Sequence, residues 1–128
     1  MTPHHCPRIL LVDDDASLAS MLGEILQLHG FEVAGVTSGE AALGQVALSP
    51  PDLIVLDVML PDGDGYRLCS ILQTDDQLKS VPVIFLTAKN SVSDKVLGFS
   101  VGADDFISKP FDPLELKARV DSRLRKRD

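Results

Sequence analysis

Acidic side chains recur where short apolar runs of this sequence end. Asp13 and Asp14 close the first run, and three later runs are closed by Asp57, Thr87 and Lys109. Neighbouring carboxylates disfavour one another's ionisation, so such a group is more stable when a cation lies among them. Carboxylate oxygens are the ligands that Mg²⁺ prefers, with several waters retained. These residue types indicate a divalent-cation site at which Lys109 offsets part of the charge.

Each of these residues also has an ordinary structural role when it is taken alone. One of Asp13, Asp14 and Asp15 could be the N-cap of the helix that follows. Thr87 could be a plain strand residue, and Lys109 could be a solvent-exposed lysine. The functional interpretation depends on whether the fold brings these side chains to one place.

Five short apolar runs alternate with helical patterns along the chain. The runs span residues 8–13, 31–36, 52–57, 81–87 and 105–109. Three are continuously apolar, which is typical of strands covered on both faces. Strands that alternate with helices predict a parallel sheet wrapped by right-handed crossovers. Because sites in such sheets form beyond the carboxyl ends of the strands, the polar residues should meet at one edge.

Capping residues mark two of the predicted helices. Ser38 is the predicted N-cap of a helix over 39–48. Asp112 followed by Pro113 predicts the start of the last helix, since proline is favoured at the first helical position.

The fourth predicted helix, at roughly 91–103, differs from the others in its weak propensity. Gly98 lies in its middle and costs about 1 kcal/mol relative to alanine. Val92, Val96 and Phe99 fall on one stripe, which is predicted to face the core. A marginal helix of this kind is a reasonable element to move.

Length and composition predict one soluble domain. The chain has 128 residues, of which 45% are apolar and 24% are charged. We expect a flexible tail over 1–7, one domain over 8–126, and a linker to another domain after about residue 126. No apolar run approaches the roughly 20 residues of a membrane span, and no signal peptide is evident, so a cytoplasmic location is expected. The net charge of −7 disfavours direct nucleic-acid binding.

Four motifs resemble those of the receiver domain of two-component response regulators. They occur in order within about residues 8–125 and read ILLVDDD, DLIVLDVMLPDGDG, VIFLTA and GADDFISKPF. The resemblance implies a flavodoxin-like (CheY-like) α/β fold of three layers, with a doubly wound five-stranded parallel sheet in the order 2-1-3-4-5. It also implies a bacterial phosphorelay domain, not a turnover enzyme, that receives a phosphoryl group from a sensor histidine kinase or a phosphotransfer protein.

The resemblance assigns the acidic residues to phosphoryl transfer and metal binding. Asp57 resembles the aspartate that is phosphorylated. Asp13 and Asp14 resemble the acidic pair that holds Mg²⁺, together with Asp57 and the backbone carbonyl of Met59. Mn²⁺ or Ca²⁺ could take the place of Mg²⁺.

The same resemblance assigns the remaining site residues. The Thr87 hydroxyl, the Ala88 N–H and the Lys109 ammonium would bind the phosphoryl oxygens, with Thr87 and Lys109 also assisting the reaction. The Lys109–Pro110 peptide bond would be cis. Phe106 occupies the position of an aromatic switch, where many relatives have tyrosine, and would move together with Thr87.

The fourth helix, fifth strand and fifth helix resemble the face through which the winged-helix transcription-factor branch dimerises after phosphorylation. Two ion pairs could cross such an interface, Lys95 with Glu115 and Asp105 with Arg119. The match is partial, because Ser100 and Asp121 stand where that branch often has an acid and a base.

Three other classes of protein remain as alternatives. A haloacid-dehalogenase-like phosphatase also uses a strand-end aspartate and Mg²⁺, but it needs a second aspartate where this chain has Met59. A flavodoxin would need a first loop that binds phosphate, and three aspartates would repel one. An unphosphorylated pseudo-receiver scaffold would not need the intact set of site residues.

Overall fold

The computed structural model describes residues 6–88 and 92–127, without the side chains of residues 92, 93, 95, 126 and 127. Strands and helices alternate in this part of the chain, except that a short hairpin follows the third strand. In chain order they are β1 (Arg8–Val12), α1 (Ala16–Leu28), β2 (Glu32–Val36), α2 (Gly39–Leu48), β3 (Leu53–Leu56), β4 (Met59–Leu60), β5 (Gly63–Asp64), α3 (Gly65–Gln73), β6 (Val83–Thr87), α4 (Val92–Ser100), β7 (Asp105–Ser108) and α5 (Pro113–Arg127). None of these helices is long and apolar enough to cross a membrane.

Five strands form one parallel sheet in the order β2-β1-β3-β6-β7. Because β4 and β5 form a separate two-stranded hairpin, this order is 2-1-3-4-5 when only the sheet strands are counted. The predicted flavodoxin-like fold is therefore confirmed. The order reverses between β1 and β3, which is where such sheets bind ligands.

The sheet is covered on both faces, as the continuously apolar strands indicated. Alternate residues of β1 point to opposite sides, with Ile9 and Leu11 packed in one core and Leu10 and Val12 in the other. Helices α1 and α5 cover the first core, and α2 and α3 cover the second. Burial on both faces leaves only the strand ends for polar side chains.

The predicted caps are present in the structure. Ser38 Oγ accepts a hydrogen bond from the Ala41 N–H at 3.1 Å. Asp112 accepts one from the Leu114 N–H at 2.8 Å, directly before Pro113 begins α5. These bonds satisfy N–H groups that have no partner inside the helix.

The predicted inward stripe of α4 is wrong. Val96 and Phe99 are 63% and 51% exposed, whereas Gly98 is buried. A Cβ atom at Gly98 would lie 2.1 Å from Cζ of Phe106, so only glycine leaves room for this ring. The side chain of Val92 lies outside the described residues. The helix therefore packs through its least bulky residue because an aromatic ring of β7 already fills the space.

The hairpin of β4 and β5 was not predicted. Its strands have two residues each, too few for a periodic pattern, and they join through Pro61 and Asp62. The Asp-Gly pair at 62–63 is a turn signal that could have revealed it. Gly63 has a φ of +143°, a backbone conformation that favours glycine.

Candidate functional site

Four strand ends deliver the predicted polar side chains to one edge of the sheet. Asp13 follows β1, Asp57 follows β3, Thr87 ends β6 and Lys109 follows β7. Their convergence, which was predicted from the sequence, is confirmed by direct contacts of Lys109 with two of the others. Parallel strands produce this convergence because all their carboxyl ends lie at the same edge.

Lys109 bridges two carboxylates at the point where the strand order reverses. Its Nζ lies 2.9 Å from Oδ2 of Asp57 and 3.0 Å from Oδ2 of Asp13. Burial disfavours the ammonium, but the hydrogen bonds to Asp57 and Asp13 outweigh this effect and raise the pKa of Lys109. The lysine is therefore charged at neutral pH and offsets part of the acidic charge.

The Asp57 carboxyl group is almost completely buried, with 5% of the residue exposed. Its Oδ1 accepts a hydrogen bond from the Met59 N–H at 3.0 Å, while Oδ2 accepts from Lys109. Burial raises the pKa of Asp57, against the hydrogen bonds from Lys109 and Met59, and the charge of Asp13 adds to the increase. The ionised carboxylate is thus held in an environment that favours additional positive charge.

Asp13 and Asp14 complete an acidic group around Asp57. Asp13 is buried, and its Oδ1 accepts a hydrogen bond from the Asp15 N–H at 2.9 Å, whereas Asp14 is exposed. Carboxylate oxygens of Asp13, Asp14 and Asp57 lie within 4.8 Å of one another, close enough to bind one metal ion. Asp15 is the N-cap of α1, accepting from the Leu18 N–H at 3.1 Å, so the other two acids have no capping role.

Thr87 is buried at the end of β6, and its carbonyl oxygen accepts a hydrogen bond from the Lys109 N–H at 2.9 Å. Ala88 follows it as the last residue described before 92. The Lys109–Pro110 peptide bond is cis, as the resemblance implied.

Phe106 is buried in the middle of a row of aromatic rings. Its ring centroid lies 5.3 Å from that of Phe85 on β6 and 5.2 Å from that of Phe99 on α4. Phe85 also contacts Tyr66 of α3 at 5.1 Å, and the Tyr66 hydroxyl donates to the Asp94 carbonyl of α4 at 3.2 Å. These contacts connect Phe106, the predicted switch residue, to α4.

The predicted interface residues include ion pairs within the chain. Arg119 of α5 contacts Asp105 at 2.8 Å and Glu115 at 3.2 Å. The side chain of Lys95 lies outside the described residues, so its predicted pairing with Glu115 stays a prediction.

Comparison with known proteins identifies the class to which this fold and site belong. The chain belongs to the response regulator receiver domain family, which matches residues 9–121. It is accordingly a signal-receiving domain of two-component phosphorelays. This result removes the phosphatase and flavodoxin alternatives.

Particular relatives are similar to the chain over nearly its whole length. The DNA-binding response regulator MtrA of Mycobacterium tuberculosis H37Rv is 50% identical over 121 residues, which are 94% of this chain and 52% of that protein. The chain thus spans about half the length of the curated relatives it matches.

Solved structures agree with this assignment. The receiver domain of a signal transduction histidine kinase from Syntrophus aciditrophicus has a TM-score of 0.87 at 37% identity, covering 94% of this chain and 92% of that one. The chemotaxis response regulator CheY4 of Vibrio cholerae has a TM-score of 0.89 at 30% identity, covering 93% of this chain and 99% of that one.

Proposed function

We propose that Asp57 accepts a phosphoryl group from a sensor histidine kinase or a phosphotransfer protein. The observation that carries this proposal is the contact of one ammonium group, Lys109 Nζ, with both Asp57 and Asp13. The domain catalyses its own phosphorylation and dephosphorylation and does not turn over a separate substrate. Within residues 8–126 it acts as one receiver domain, in the cytoplasm and without direct contact with nucleic acid.

Mg²⁺ is the cofactor that we assign to the acidic group. Asp13, Asp14 and Asp57 would hold it together with the backbone carbonyl of Met59. The fit is supported by carboxylate oxygens within 4.8 Å of one another and by the raised pKa of Asp57, which burial causes. The Met59 residue is 56% exposed, in keeping with a role for its backbone only. When bound, Mg²⁺ would supply positive charge for the phosphoryl oxygens, and Mn²⁺ or Ca²⁺ could substitute.

The chain's own residues supply the nucleophile and the hydrogen-bond donors. A carboxylate oxygen of Asp57 bonds to phosphorus while the phosphorus–nitrogen bond of the donor histidine breaks, and the ring nitrogen keeps that electron pair. The Lys109 ammonium, the Thr87 hydroxyl and the Ala88 N–H donate to the phosphoryl oxygens. The product is an acyl phosphate on Asp57.

Thr87 and Phe106 are the residues that we assign to the conformational switch. Phe85 and Thr87 are two residues apart on β6, so their side chains lie on the same face of the sheet. Phe106 pairs with Phe85 in the neighbouring strand and packs against Gly98 of α4. Movement of Thr87 towards a phosphoryl group would change the space beside these rings. Because Phe106 has no hydroxyl, its position would depend on packing alone.

A phosphorylation-dependent homodimer would use the face formed by α4, β7 and α5. Three apolar residues of α4 are exposed there: Val96, Leu97 and Phe99. Within one chain, Arg119 is already paired with Asp105 and Glu115. A dimer that uses these three residues together with Lys95 must replace the pairs within the chain by pairs with a second copy. Such exposed pairs give specificity more than affinity.

Intact-mass analysis after treatment with acetyl phosphate and Mg²⁺ tests the central proposal. We expect the wild-type chain to gain the mass of one phosphoryl group, and Asp57→Asn to gain none because the nucleophile is lost. Asp76→Asn, which changes an exposed aspartate paired with Lys79, is the matched control and should gain the same mass as wild type. No added mass on the wild-type chain would contradict the proposal and favour an unphosphorylated scaffold.

A further inference from the structure

The turn of the β4–β5 hairpin is joined to the N-terminus of α2 by one side chain. Oδ1 of Asp62 accepts a hydrogen bond from the Gly39 N–H and Oδ2 accepts one from the Glu40 N–H, both at 2.9 Å. The next N–H of α2 is already bonded to Ser38 Oγ. The first N–H groups of a helix have no acceptor within the helix. Asp62 supplies acceptors for two of these N–H groups, which the local sequence does not supply.

The charge of Asp62 suits this position. The N-terminus of a helix carries partial positive charge, which favours a carboxylate. The two backbone N–H groups lower the pKa of the Asp62 carboxyl, which is therefore ionised at neutral pH. A Cβ atom at Gly39 would lie 3.4 Å from Oδ1 of Asp62, about van der Waals contact, so the carboxylate lies directly against the start of α2.

The rest of the hairpin is held by its short ladder and by Leu60, which packs against the core. Its ladder has two residue pairs, and its base is closed by the Gly65 N–H, which donates to the Val58 carbonyl at 2.6 Å. Beside the hairpin lies an open groove of about 270 Å³ between α2 and α3, lined in part by Leu43, Leu60 and Ile71. The two bonds to Asp62 restrain the turn itself, which lies beyond the ladder.

Met59 lies between the two fixed ends of this hairpin. The Met59 N–H donates a hydrogen bond to Asp57, and Met59 is paired with Asp64 in the ladder. We propose that Asp62 is a positioning residue that holds the hairpin against α2, fixes the direction of the Met59 carbonyl, and so raises the affinity of the site for Mg²⁺. This proposal rests on the proposed function, in which that carbonyl is a metal ligand.

Calorimetric titration with Mg²⁺ alone, without any phosphoryl donor, tests the proposal. We expect Asp62→Ala to weaken Mg²⁺ binding about tenfold or more, the range typical of groups that orient metal ligands. Asp62→Asn should have an intermediate effect, because the amide oxygen can replace only one of the two accepting oxygens. This variant also keeps the test valid if Asp62→Ala folds poorly.

Ser38→Ala is the matched control, because it removes a cap from the same helix without touching the hairpin. We expect this variant to have a lower unfolding temperature and an unchanged Mg²⁺ affinity. An unchanged affinity in Asp62→Ala, or an equal loss in Ser38→Ala, would overturn the proposal and leave Asp62 as a helix cap only. Absence of Mg²⁺ binding by the wild-type chain would instead overturn the metal site itself, and this role of Asp62 with it.

Discussion

The acidic site and the face of α4 that meets β7 are fixed by different forces. At the acidic site, one ammonium lies within 3.0 Å of two carboxylates, and charge determines the arrangement. At α4, a buried glycine lies against Phe106, whose ring contacts Phe85 and Phe99 at about 5 Å, and shape determines the arrangement. The two regions meet along β6, where Phe85 and Thr87 share one face of the sheet.

In the proposed mechanism, this difference separates phosphoryl transfer at the acidic site from the response at α4. Electrostatic interactions at short range are strong and depend on the protonation or metal occupancy of the site. Packed aromatic rings have no such dependence and respond only to the volume available to them. A change of charge at Asp57 would therefore reach α4 only after conversion into a change of volume near Thr87.

Removal of Lys109 should have the largest effect, and this effect should fall on the reaction at the acidic site. We expect Lys109→Ala to slow phosphorylation by acetyl phosphate about 100- to 1,000-fold, the usual cost of losing one preorganised donor. The measurement is the rate of mass gain in saturating Mg²⁺. Lys79→Ala removes an exposed lysine paired with Asp76 and should react at the wild-type rate. Equal rates for both variants would show that Lys109 does not take part.

The dependence of stability on pH and on Mg²⁺ should reveal the free-energy cost of burying the Asp57 carboxylate. Burial raises the pKa of Asp57 above its ordinary value of 3.8. An acid with a raised pKa in the folded state binds its proton more tightly there than in the unfolded chain. Stability is therefore lost as the pH rises from about 3.8 through the folded-state pKa, and the loss persists at neutral pH.

Asp57→Asn removes this cost, so in the absence of metal it should unfold at a higher temperature than wild type at pH 7, with a smaller difference below pH 3.8. Mg²⁺ at 100 times its dissociation constant should stabilise the wild-type chain by about 2.7 kcal/mol, and the variant by less. Thermal unfolding across pH, with and without Mg²⁺, measures both effects. A neutral-pH stability of Asp57→Asn below that of wild type would contradict the assigned cost.

A methyl group at position 98 should disturb the packing of α4 against Phe106. We expect Gly98→Ala to cost about 1–3 kcal/mol, because its Cβ would overlap Phe106 and overpacking has costs of this size. Gly44→Ala is the matched control in α2, where nothing lies within 4 Å of the added carbon, and it should gain up to about 1 kcal/mol of helix propensity. Urea unfolding compares the two variants. A gain in stability for both Gly98→Ala and Gly44→Ala would show that α4 can shift away from Phe106 without a cost in stability.

Reversal of the partly exposed charge of Arg119 should have the smallest effect on the fold. Arg119 is partly exposed, so Arg119→Glu, which replaces its pairs with Asp105 and Glu115 by like-charge repulsion, should cost about 1–2 kcal/mol of stability. Its effect on self-association of the phosphorylated chain should be larger, because like charges would then face each other in the proposed dimer. Sedimentation of phosphorylated wild type and variant measures this. Undiminished association of the variant would argue against the α4–β7–α5 interface.

Sequence reasoning predicted the elements whose signals are local. The N-cap of α2 at Ser38 and the start of α5 at Pro113 were read from capping residues, and both are present. The five sheet strands were read from apolar runs, each within two residues of the observed bounds. The strand order came from the family resemblance, because apolar runs alone do not say which strands are neighbours.

The sequence did not predict the features that depend on long-range contact. The hairpin has too few residues for a pattern, and the bonds from Asp62 to α2 join residues 22 and 23 positions apart. The inward stripe of α4 was wrong because periodicity counts apolar residues and does not register that Phe106 already occupies the space. The roles of Asp13, Asp57, Thr87 and Lys109 stay predictions, although their convergence is observed.

Burial along the chain and hydrogen bonds between near neighbours set which residues lie at strand ends and helix starts, so these positions follow from the sequence alone. The contacts between distant residues appear only in the folded chain: Lys109 bridges Asp13 and Asp57, Gly98 receives Phe106, and Asp62 caps a distant helix. Such contacts depend on how whole elements pack, because close packing leaves room for one side chain at each place.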